Sequence, residues 1–142
     1  MRIAVASDHA GYELKRVLAD VLREGGHEVA DLGADNAADS VDYPDFGQAA
    51  ARAVAAGEVE RAVIVCGSGI GISIAANRVA GARCALVHDA TGARLAREHN
   101  DANMLALGAR LTGPEVARDA LAAFLSTPYA GGRHAARVAK LG

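Results

Sequence analysis

The chain has 142 residues, of which 51% are hydrophobic, and this is enough apolar material for the core of one domain, which we place at residues 1–142. Its formal net charge of -2 removes the general positive field that attracts nucleic acids, and 4% aromatic residues disfavour a base-stacking surface. The longest uncharged run, Ala62–Asn77, is too short to span a membrane. We therefore expect a cytoplasmic protein with no nucleic-acid or membrane partner.

Short apolar runs alternate with helical patterns along the whole chain. The apolar runs predict five strands, at Arg2–Ser7, His27–Leu32, Arg61–Cys66, Arg83–Val87 and Met104–Leu107. Apolar residues three or four apart predict helices at Tyr12–Glu24, about Asp45–Ala56, a segment ending at Asn77, Ala90–Glu98, Pro114–Ser126 and, as a short basic helix, about 133–141. The second helix opens at Pro44 or is capped by Asp45. This alternation predicts an α/β fold class, a Rossmann-like three-layer α/β/α sandwich with a five-stranded parallel sheet.

The most informative loop follows the third predicted strand, with the sequence CGSGIG at residues 66–71. Ligands of parallel sheets bind outside the carboxyl ends of the strands. Glycines let the backbone approach a ligand closely, and the next helix directs free N–H groups at an anion. The loop is not the dinucleotide pattern GxGxxG, because its third glycine is Gly71 and residue 72 is Ile72. A Walker A motif is also absent.

The two cysteines have different settings, and their spacing fits neither a disulfide framework nor a metal site. Cys66 is either a small buried residue that ends a core strand, the commoner role, or a reactive thiolate favoured by the helix N-terminus. Ser68 beside it is either the N-cap of that helix or a hydroxyl placed on a substrate oxygen. Cys84 begins a strand with no such setting, so we expect it to be structural.

Histidines and arginines occur in polar segments at the ends of predicted elements. His9 follows Asp8 at the end of the first strand, and His99 belongs to the polar run HNDAN. An isolated histidine is more often a surface residue than a catalyst, so both interpretations stay open. Spacings of three and four place four basic residues on one face of the last helix, either as a solvated face or as a phosphate site: Arg133, His134, Arg137 and Lys140.

Together these segments resemble the ribose-5-phosphate isomerase B family, the RpiB/LacAB sugar-phosphate isomerases. The matching motifs, which cover nearly the whole chain, are SDHAG at 7–11, DYPD at 42–45, CGSGIGISIAAN at 66–77, EHNDANMLALGAR at 98–110 and YAGGRHAARV at 129–138. The resemblance implies interconversion of ribose 5-phosphate and ribulose 5-phosphate without metal or cofactor. It implies Cys66 as the base that removes the C2 proton and His99 as the group that opens the sugar ring. The implied substrate-binding residues are Asp8, His9, Gly67, Ser68, Gly69, Ile70, Gly71, Asn100, Arg110, Arg133 and Arg137.

The parallel sheet separates these residues. Cys66 follows a strand, whereas His99 follows a helix and precedes a strand, so the two are expected at opposite edges of the sheet. We therefore expect His99, Asn100 and the arginines of the helix at about 133–141 to enter the site of a partner chain across a two-fold interface. The resemblance agrees, since that family is known for active sites at dimer interfaces. Further pairing of such homodimers into tetramers is left open.

Three alternatives remain at this point. Within the same family, the substrate could be allose 6-phosphate or galactose 6-phosphate, because the length of the pocket decides between pentose and hexose. From a different class, a non-catalytic sugar-phosphate-binding module is disfavoured by Cys66, Ser68 and His99 together, since binding alone needs neither a thiolate nor a proton donor. A cysteine hydrolase is disfavoured because no clear triad partner is found.

Overall fold

A computed structural model describes residues 1–142. Five strands form one parallel sheet in the order β2-β1-β3-β5-β4. The strands are β1 (Arg2–Ser7), β2 (Glu28–Asp31), β3 (Arg61–Cys66), β4 (Cys84–Leu86) and β5 (Met104–Gly108). The helices are α1 (Tyr12–Glu24), α2 (Tyr43–Ala55), α3 (Ile70–Asn77), α4 (Ala90–Asn100), α5 (Pro114–Ser126) and α6 (Ala135–Ala139). The predicted α/β fold with a five-stranded parallel sheet is confirmed.

Helices cover both faces of the sheet, which gives the predicted three layers. Alternate residues of β1 point to opposite faces: Ile3 and Val5 join a core cluster with α1, α4 and α5, while Ala4 and Ala6 join a second cluster with α2 and α3. The central strands β1, β3 and β5 are buried on both faces, and this explains why their sequences are continuously apolar. None of the helices combines the length and the apolarity needed to cross a membrane.

Some element boundaries differ from the sequence prediction. Helix α2 begins at Tyr43, so Pro44 lies in its first turn and Asp45 is not its cap. Proline suits this position because the first N–H groups of a helix have no partner within it. The basic segment at about 133–141 is not one helix but a 3-10 turn at Gly132–His134 followed by α6. Gly131 and Gly132 have φ angles of 64° and 56°, which a right-handed helix does not contain, so the regular helix begins only after them.

The end of β5 packs directly against the loop that follows β3, so the substitution Gly108→Ala should destabilise the protein. A Cβ on Gly108 would lie 2.5 Å from the carbonyl carbon and oxygen of Ser68. Because either β5 or the loop after β3 must shift to make room for this Cβ, we expect the free energy of unfolding, measured in urea, to fall by about 1–3 kcal/mol. Gly113→Ala is the matched control, since nothing lies within 4 Å of its added Cβ. Equal stability of the two variants would contradict the close packing.

Candidate active site

A cavity of about 570 Å³ opens at the carboxyl ends of the central strands. It lies beside the ends of β1 and β3, where the strand order reverses, and open α/β sheets bind ligands at this switch point. Its volume is typical of small-molecule sites. The lining residues are Asp8, His9, Ala10, Tyr43, Cys66, Gly67, Ser68, Ile70, Gly71, Ile74, Arg110 and Leu111. The sheet edge predicted from the sequence is therefore the one that carries the cavity.

Cys66 ends β3 and is only 4% exposed, with its sulfur directed to a backbone donor. The Gly69 N–H donates to Cys66 Sγ at 3.2 Å. Gly69 has a φ angle of 75°, in the left-handed region, and a Cβ there would lie 2.6 Å from Leu86 Cδ1. Only glycine allows the loop to turn back in this narrow space. The turn places an N–H donor and the start of α3 next to the sulfur.

Ser68 lies between the cavity and the start of α3, but it is not the N-cap of that helix. Its Oγ accepts a hydrogen bond from the Ile70 N–H at 3.2 Å, as a capping side chain does, although Gly69 occupies the N-cap position. The same side chain lines the cavity. Because Oγ is the acceptor in this bond, the hydroxyl proton remains free to be donated to an oxygen atom in the cavity.

Asp8 and His9 reach the cavity from the end of β1. Asp8 is 6% exposed, and its Oδ1 accepts the Gly11 N–H at 2.9 Å, which fixes the carboxylate at the start of α1. His9 Nδ1 accepts the Val41 N–H at 3.1 Å. The structure thus brings together a thiol, a hydroxyl, a carboxylate and an imidazole around one cavity. No group of three or more His, Cys, Asp or Glu side chains is placed to hold a metal ion.

Arg110 supplies positive charge to this cavity. Its backbone N–H donates to the Gly67 carbonyl at 2.9 Å, which joins the end of β5 to the loop after β3. Its guanidinium lies over the same glycine, with Nε 3.5 Å from the position of a Gly67 Cβ. Arg110 forms no ion pair with a carboxylate of the chain. Its charge is therefore available to an anionic ligand.

His99 and Asn100 lie away from this cavity and do not line it. They end α4, which leads into β5 at Met104, whereas the other end of β5, Gly108, pairs with Cys66. Four residue steps along a strand separate these edges by roughly 13 Å. One chain therefore does not bring His99 to Cys66. Arg133 and Arg137 are also absent from the lining of the cavity.

His99 packs instead against the carboxyl-terminal segment. The rings of His99 and His134 stack with their centroids 4.5 Å apart and 17° between their planes. Loss of hydration and the positive charges of His99, Arg133 and Arg137 lower the pKa of His134. Since these groups repel one another, a bound anion would stabilise them. We call these four side chains the basic cluster: His99, Arg133, His134 and Arg137.

A buried guanidinium holds the parts of the basic cluster in place. Arg97 is 6% exposed and donates to Asp101 Oδ1 at 2.8 Å and to the Ala102 carbonyl oxygen at 2.7 Å. It also donates to the Thr127 carbonyl oxygen at 3.3 Å. One side chain therefore ties the end of α4 to the chain that leads into the carboxyl-terminal segment. The basic cluster is formed within a single chain.

Sequence reasoning missed four of the lining residues, Ala10, Tyr43, Ile74 and Leu111. Tyr43 could have been predicted as a site residue, because it belongs to the DYPD motif. Its ring occupies the place of a Gly71 Cβ, with Cζ at 2.5 Å, so any side chain at residue 71 would have to displace the ring of Tyr43. Ile74 lies one turn after Ile70 on the exposed side of α3, and the helical period alone could have found it. No sequence pattern indicates that Leu111, which follows the end of β5, lines the cavity.

Fold and cavity define a Rossmann-like α/β protein with a small-molecule site at the switch point of its sheet. The family model described as Ribose/Galactose Isomerase matches residues 3–141. The chain belongs to this family of sugar-phosphate isomerases, which confirms the resemblance in its motifs. It is 44% identical to ribose-5-phosphate isomerase B of Escherichia coli, over 96% of this chain and 91% of that protein.

Solved structures agree with the family assignment. A ribose-5-phosphate isomerase B of Clostridium thermocellum superposes with a TM-score of 0.98 and 51% identity, covering 100% of this chain and 95% of that one. The Mycoplasma genitalium ribose-5-phosphate isomerase B, solved with bound ribulose-5-phosphate, has a TM-score of 0.95 and 35% identity, covering 99% and 93%. The similarity therefore extends over the whole fold.

Cys84 should resist alkylation in the folded protein. Burial raises the pKa of Cys84 to about 12, so its thiol is protonated near neutral pH, whereas alkylating reagents attack the thiolate. We expect iodoacetamide to leave Cys84 unmodified in the native protein and to modify it in urea, as measured by mass spectrometry of its peptide. Equal rates of modification in the two conditions would contradict a structural role.

Proposed function

We propose that this protein is an aldose–ketose isomerase that interconverts D-ribose 5-phosphate and D-ribulose 5-phosphate, with Cys66 as the base. The observation that carries the proposal is the position of Cys66 Sγ at the cavity, with the Gly69 N–H directed at it, in a chain of this isomerase family. The relatives named ribose-5-phosphate isomerase B, one of them holding ribulose-5-phosphate, support a pentose phosphate as the substrate.

The reaction moves a proton between C2 and C1 of the open-chain sugar through an enediolate. The Cys66 thiolate takes the C2 proton of the aldose and returns it to C1. The negative charge that develops on the substrate oxygens needs preorganised donors, and the backbone N–H groups of Gly67, Ser68 and Gly71, together with the Ser68 hydroxyl, would supply them. Ser68 can also pass a proton between O1 and O2.

Opening the sugar ring requires a second acid–base group, which we assign to His99 of a partner chain. The cavity's own His9 already uses Nδ1 to accept the Val41 N–H. The basic cluster, in contrast, carries His99 together with exposed Arg133 and Arg137, whose forked donors suit a phosphate group. Placed over the cavity of a second copy, the cluster would supply both the ring-opening group and the phosphate site.

Exposed apolar side chains around the cavity support such a homodimer. Ile70, Ile74 and Leu111 are 51%, 56% and 62% exposed, and Tyr43 is 40% exposed. Ile70 and Ile74 lie one turn apart and form a continuous apolar strip on α3. Surfaces of this kind mark protein interfaces. In the proposed two-fold dimer, each basic cluster covers the strip of the partner and completes its site.

Because a phosphorylated sugar is charged and stays inside the cell, we place the enzyme in the cytoplasm.

Replacing the proposed base should abolish most of the activity. We expect Cys66→Ala to lower kcat for ribose 5-phosphate by about 10²–10⁴, the usual contribution of a positioned base. Cys84→Ala is the matched control and should retain activity, because Cys84 lies in β4 outside the cavity. The assay follows ribulose 5-phosphate formation in the presence of a chelator. Full activity of Cys66→Ala would refute this role, whereas a preference for allose 6-phosphate would change only the substrate.

Two inactive variants should complement each other if the sites are shared. In Cys66→Ala mixed with His99→Asn, each mixed dimer has one site with both defects and one with neither. After subunit exchange, half of the dimers are mixed, so we expect about a quarter of the wild-type activity. Exchange is verified by native mass spectrometry, and each variant alone is the control. Mixed dimers without activity would show that Cys66 and His99 do not meet across the interface.

A further inference from the structure

The turn after α4 is the one place where a residue other than glycine has a positive φ angle. Asp101 has φ and ψ angles of 45° and directly follows His99 and Asn100. This left-handed conformation is unfavourable for residues with a side chain, although aspartate tolerates it better than most. A conformation of this kind persists only where the surrounding structure holds it in place. The contacts of Asp101 must therefore stabilise the turn.

Two arginines from different elements hold Asp101. Arg97 Nη1, in α4, donates to Asp101 Oδ1 at 2.8 Å, and Arg83 Nη2, from the residue before β4, donates to Asp101 Oδ2 at 3.3 Å. Arg83 Nε also donates to the backbone carbonyl oxygen of Asp101 at 3.0 Å. The Arg97 side chain is buried, so its charge requires a partner of opposite sign. Both carboxylate oxygens thus accept charged hydrogen bonds, which are the strong ones.

The guanidinium that Asp101 pairs with in α4 also reaches the carboxyl-terminal segment. Arg97 Nε donates to the Thr127 carbonyl oxygen at 3.3 Å. Thr127 leads into the segment whose His134 stacks on His99. Asp101 is the only carboxylate that pairs with either of the two arginines. One network with a single negative charge therefore holds the end of α4 and the segment packed against it.

We propose that Asp101 is a positioning residue of the isomerase, which acts through His99 and Asn100. It fixes the turn directly after them and so holds both side chains in the orientation in which they meet the cavity of a partner chain. The ends of helices otherwise fray. A displacement of about 1 Å in a catalytic group can lower a rate by about 10²-fold. The catalytic part of this proposal rests on the proposed function, whereas the held turn does not.

The polar run HNDAN also contains a residue that provides the control. Asn103 Oδ1 accepts the Arg83 N–H at 2.8 Å, and Asn103 Nδ2 donates to the Gly81 carbonyl oxygen at 2.9 Å. Its side chain therefore fixes the chain before β4 and makes no hydrogen bond to α4. Asn103→Ala removes these bonds, whereas Asp101→Gly removes the two ion pairs and leaves a residue that adopts a positive φ freely. A loss of stability alone should affect both variants in the same way.

The stack of His99 on His134 reports the state of the turn in the ligand-free protein. We expect the nuclear Overhauser contacts between the two rings to lose most of their intensity in Asp101→Gly and to persist in Asn103→Ala. Asp101→Asn should keep most of the intensity, because asparagine tolerates the left-handed backbone and retains an oxygen acceptor. The His99 signals are assigned by their absence in His99→Asn. Full intensity in a folded Asp101→Gly protein, or equal losses in Asp101→Gly and Asn103→Ala, would overturn the proposal whether or not the protein is an isomerase.

Mixed dimers show through which half of the site Asp101 acts. We expect Asp101→Gly alone to lower kcat/KM for ribose 5-phosphate by about 10- to 100-fold, and Asn103→Ala to lower it much less. In a mixed dimer with Cys66→Ala, one site takes Cys66 from the Asp101→Gly chain and His99 from the other chain. That site is intact if Asp101 acts through the His99 of its own chain, so the mixture should reach about a quarter of wild-type activity. No recovery after verified subunit exchange would place the defect in the chain's own cavity and refute the proposal.

Two further measurements keep the outcomes distinct. If Asp101→Gly does not fold, Arg83→Met replaces it, because Asp101 then keeps its pair with the buried Arg97 and loses only one anchor. We expect smaller changes in the same directions, and unchanged ring contacts and activity would overturn the proposal. The mixture of Cys66→Ala with His99→Asn tests the shared site itself. Without recovery in that mixture the proposed function is wrong, whereas the contacts between the two histidine rings still decide whether Asp101 holds the turn.

Discussion

All five strands run in the same direction, and this constraint determines which of the candidate site residues lie at each end of the sheet. Their carboxyl ends collect Cys66, Asp8 and Arg110 around one cavity. The helix that carries His99 must end at the opposite edge, because it leads into the start of β5. No loop of ordinary length reverses this order within one compact subunit. A single chain thus holds a cavity at one end of the sheet and a basic cluster at the other, and the proposed function makes each of them half of a shared site. The proposed two-fold dimer is the simplest arrangement that joins the two kinds of half-site.

The sequence predicted best where local pattern and burial agree. The bounds of β1 and β3 were predicted correctly, because both strands are buried on two faces and their sequences are therefore almost continuously apolar. The outer strands β2 and β4 are shorter than predicted, since partly exposed edge residues carry a weaker pattern. The carboxyl-terminal helix was predicted too long, because the spacing of basic residues does not distinguish an α-helix from the 3-10 turn that holds Arg133 and His134.

The sequence predicted those residues of the site that belong to motifs, but not the other residues that line the cavity. Cys66 and Ser68 could be found because strand end, glycine and helix start follow one another along the chain. The ring of Tyr43 comes to lie over Gly71 only through the packing of α2 against α3, which no local pattern reports. The Val41 N–H reaches His9 across 32 positions in the sequence. Contacts of this kind become visible only when the sheet has been assembled.

The donor at the sulfur of Cys66 is likewise a product of the whole sheet. Gly69 turns its N–H towards Cys66 because the loop is pressed between Leu86 of β4 and the backbone of β5 at Leu107. The loop sequence alone permits many conformations, and the neighbouring strands select the one in which an N–H faces the sulfur. A change in β4 or β5 would therefore alter the surroundings of Cys66, the proposed base, without contacting its side chain. The same packing keeps the donor in place before any ligand binds, as electrostatic stabilisation of a transition state requires.

Closure of the cavity by a partner chain would also change the surroundings of Cys66, the proposed base. Hydrogen-bond donors stabilise a developing oxyanion more strongly where water is excluded. In a single chain the cavity is open to solvent on the side bordered by the apolar strip of Ile70 and Ile74. In the proposed dimer, the partner's cluster adds charge at one end of the substrate and removes water at the other. The span from Cys66 to the arginines across the interface then sets the length of sugar phosphate that fits. In this proposed arrangement, a small shift of one subunit against the other would change the length of sugar phosphate that fits.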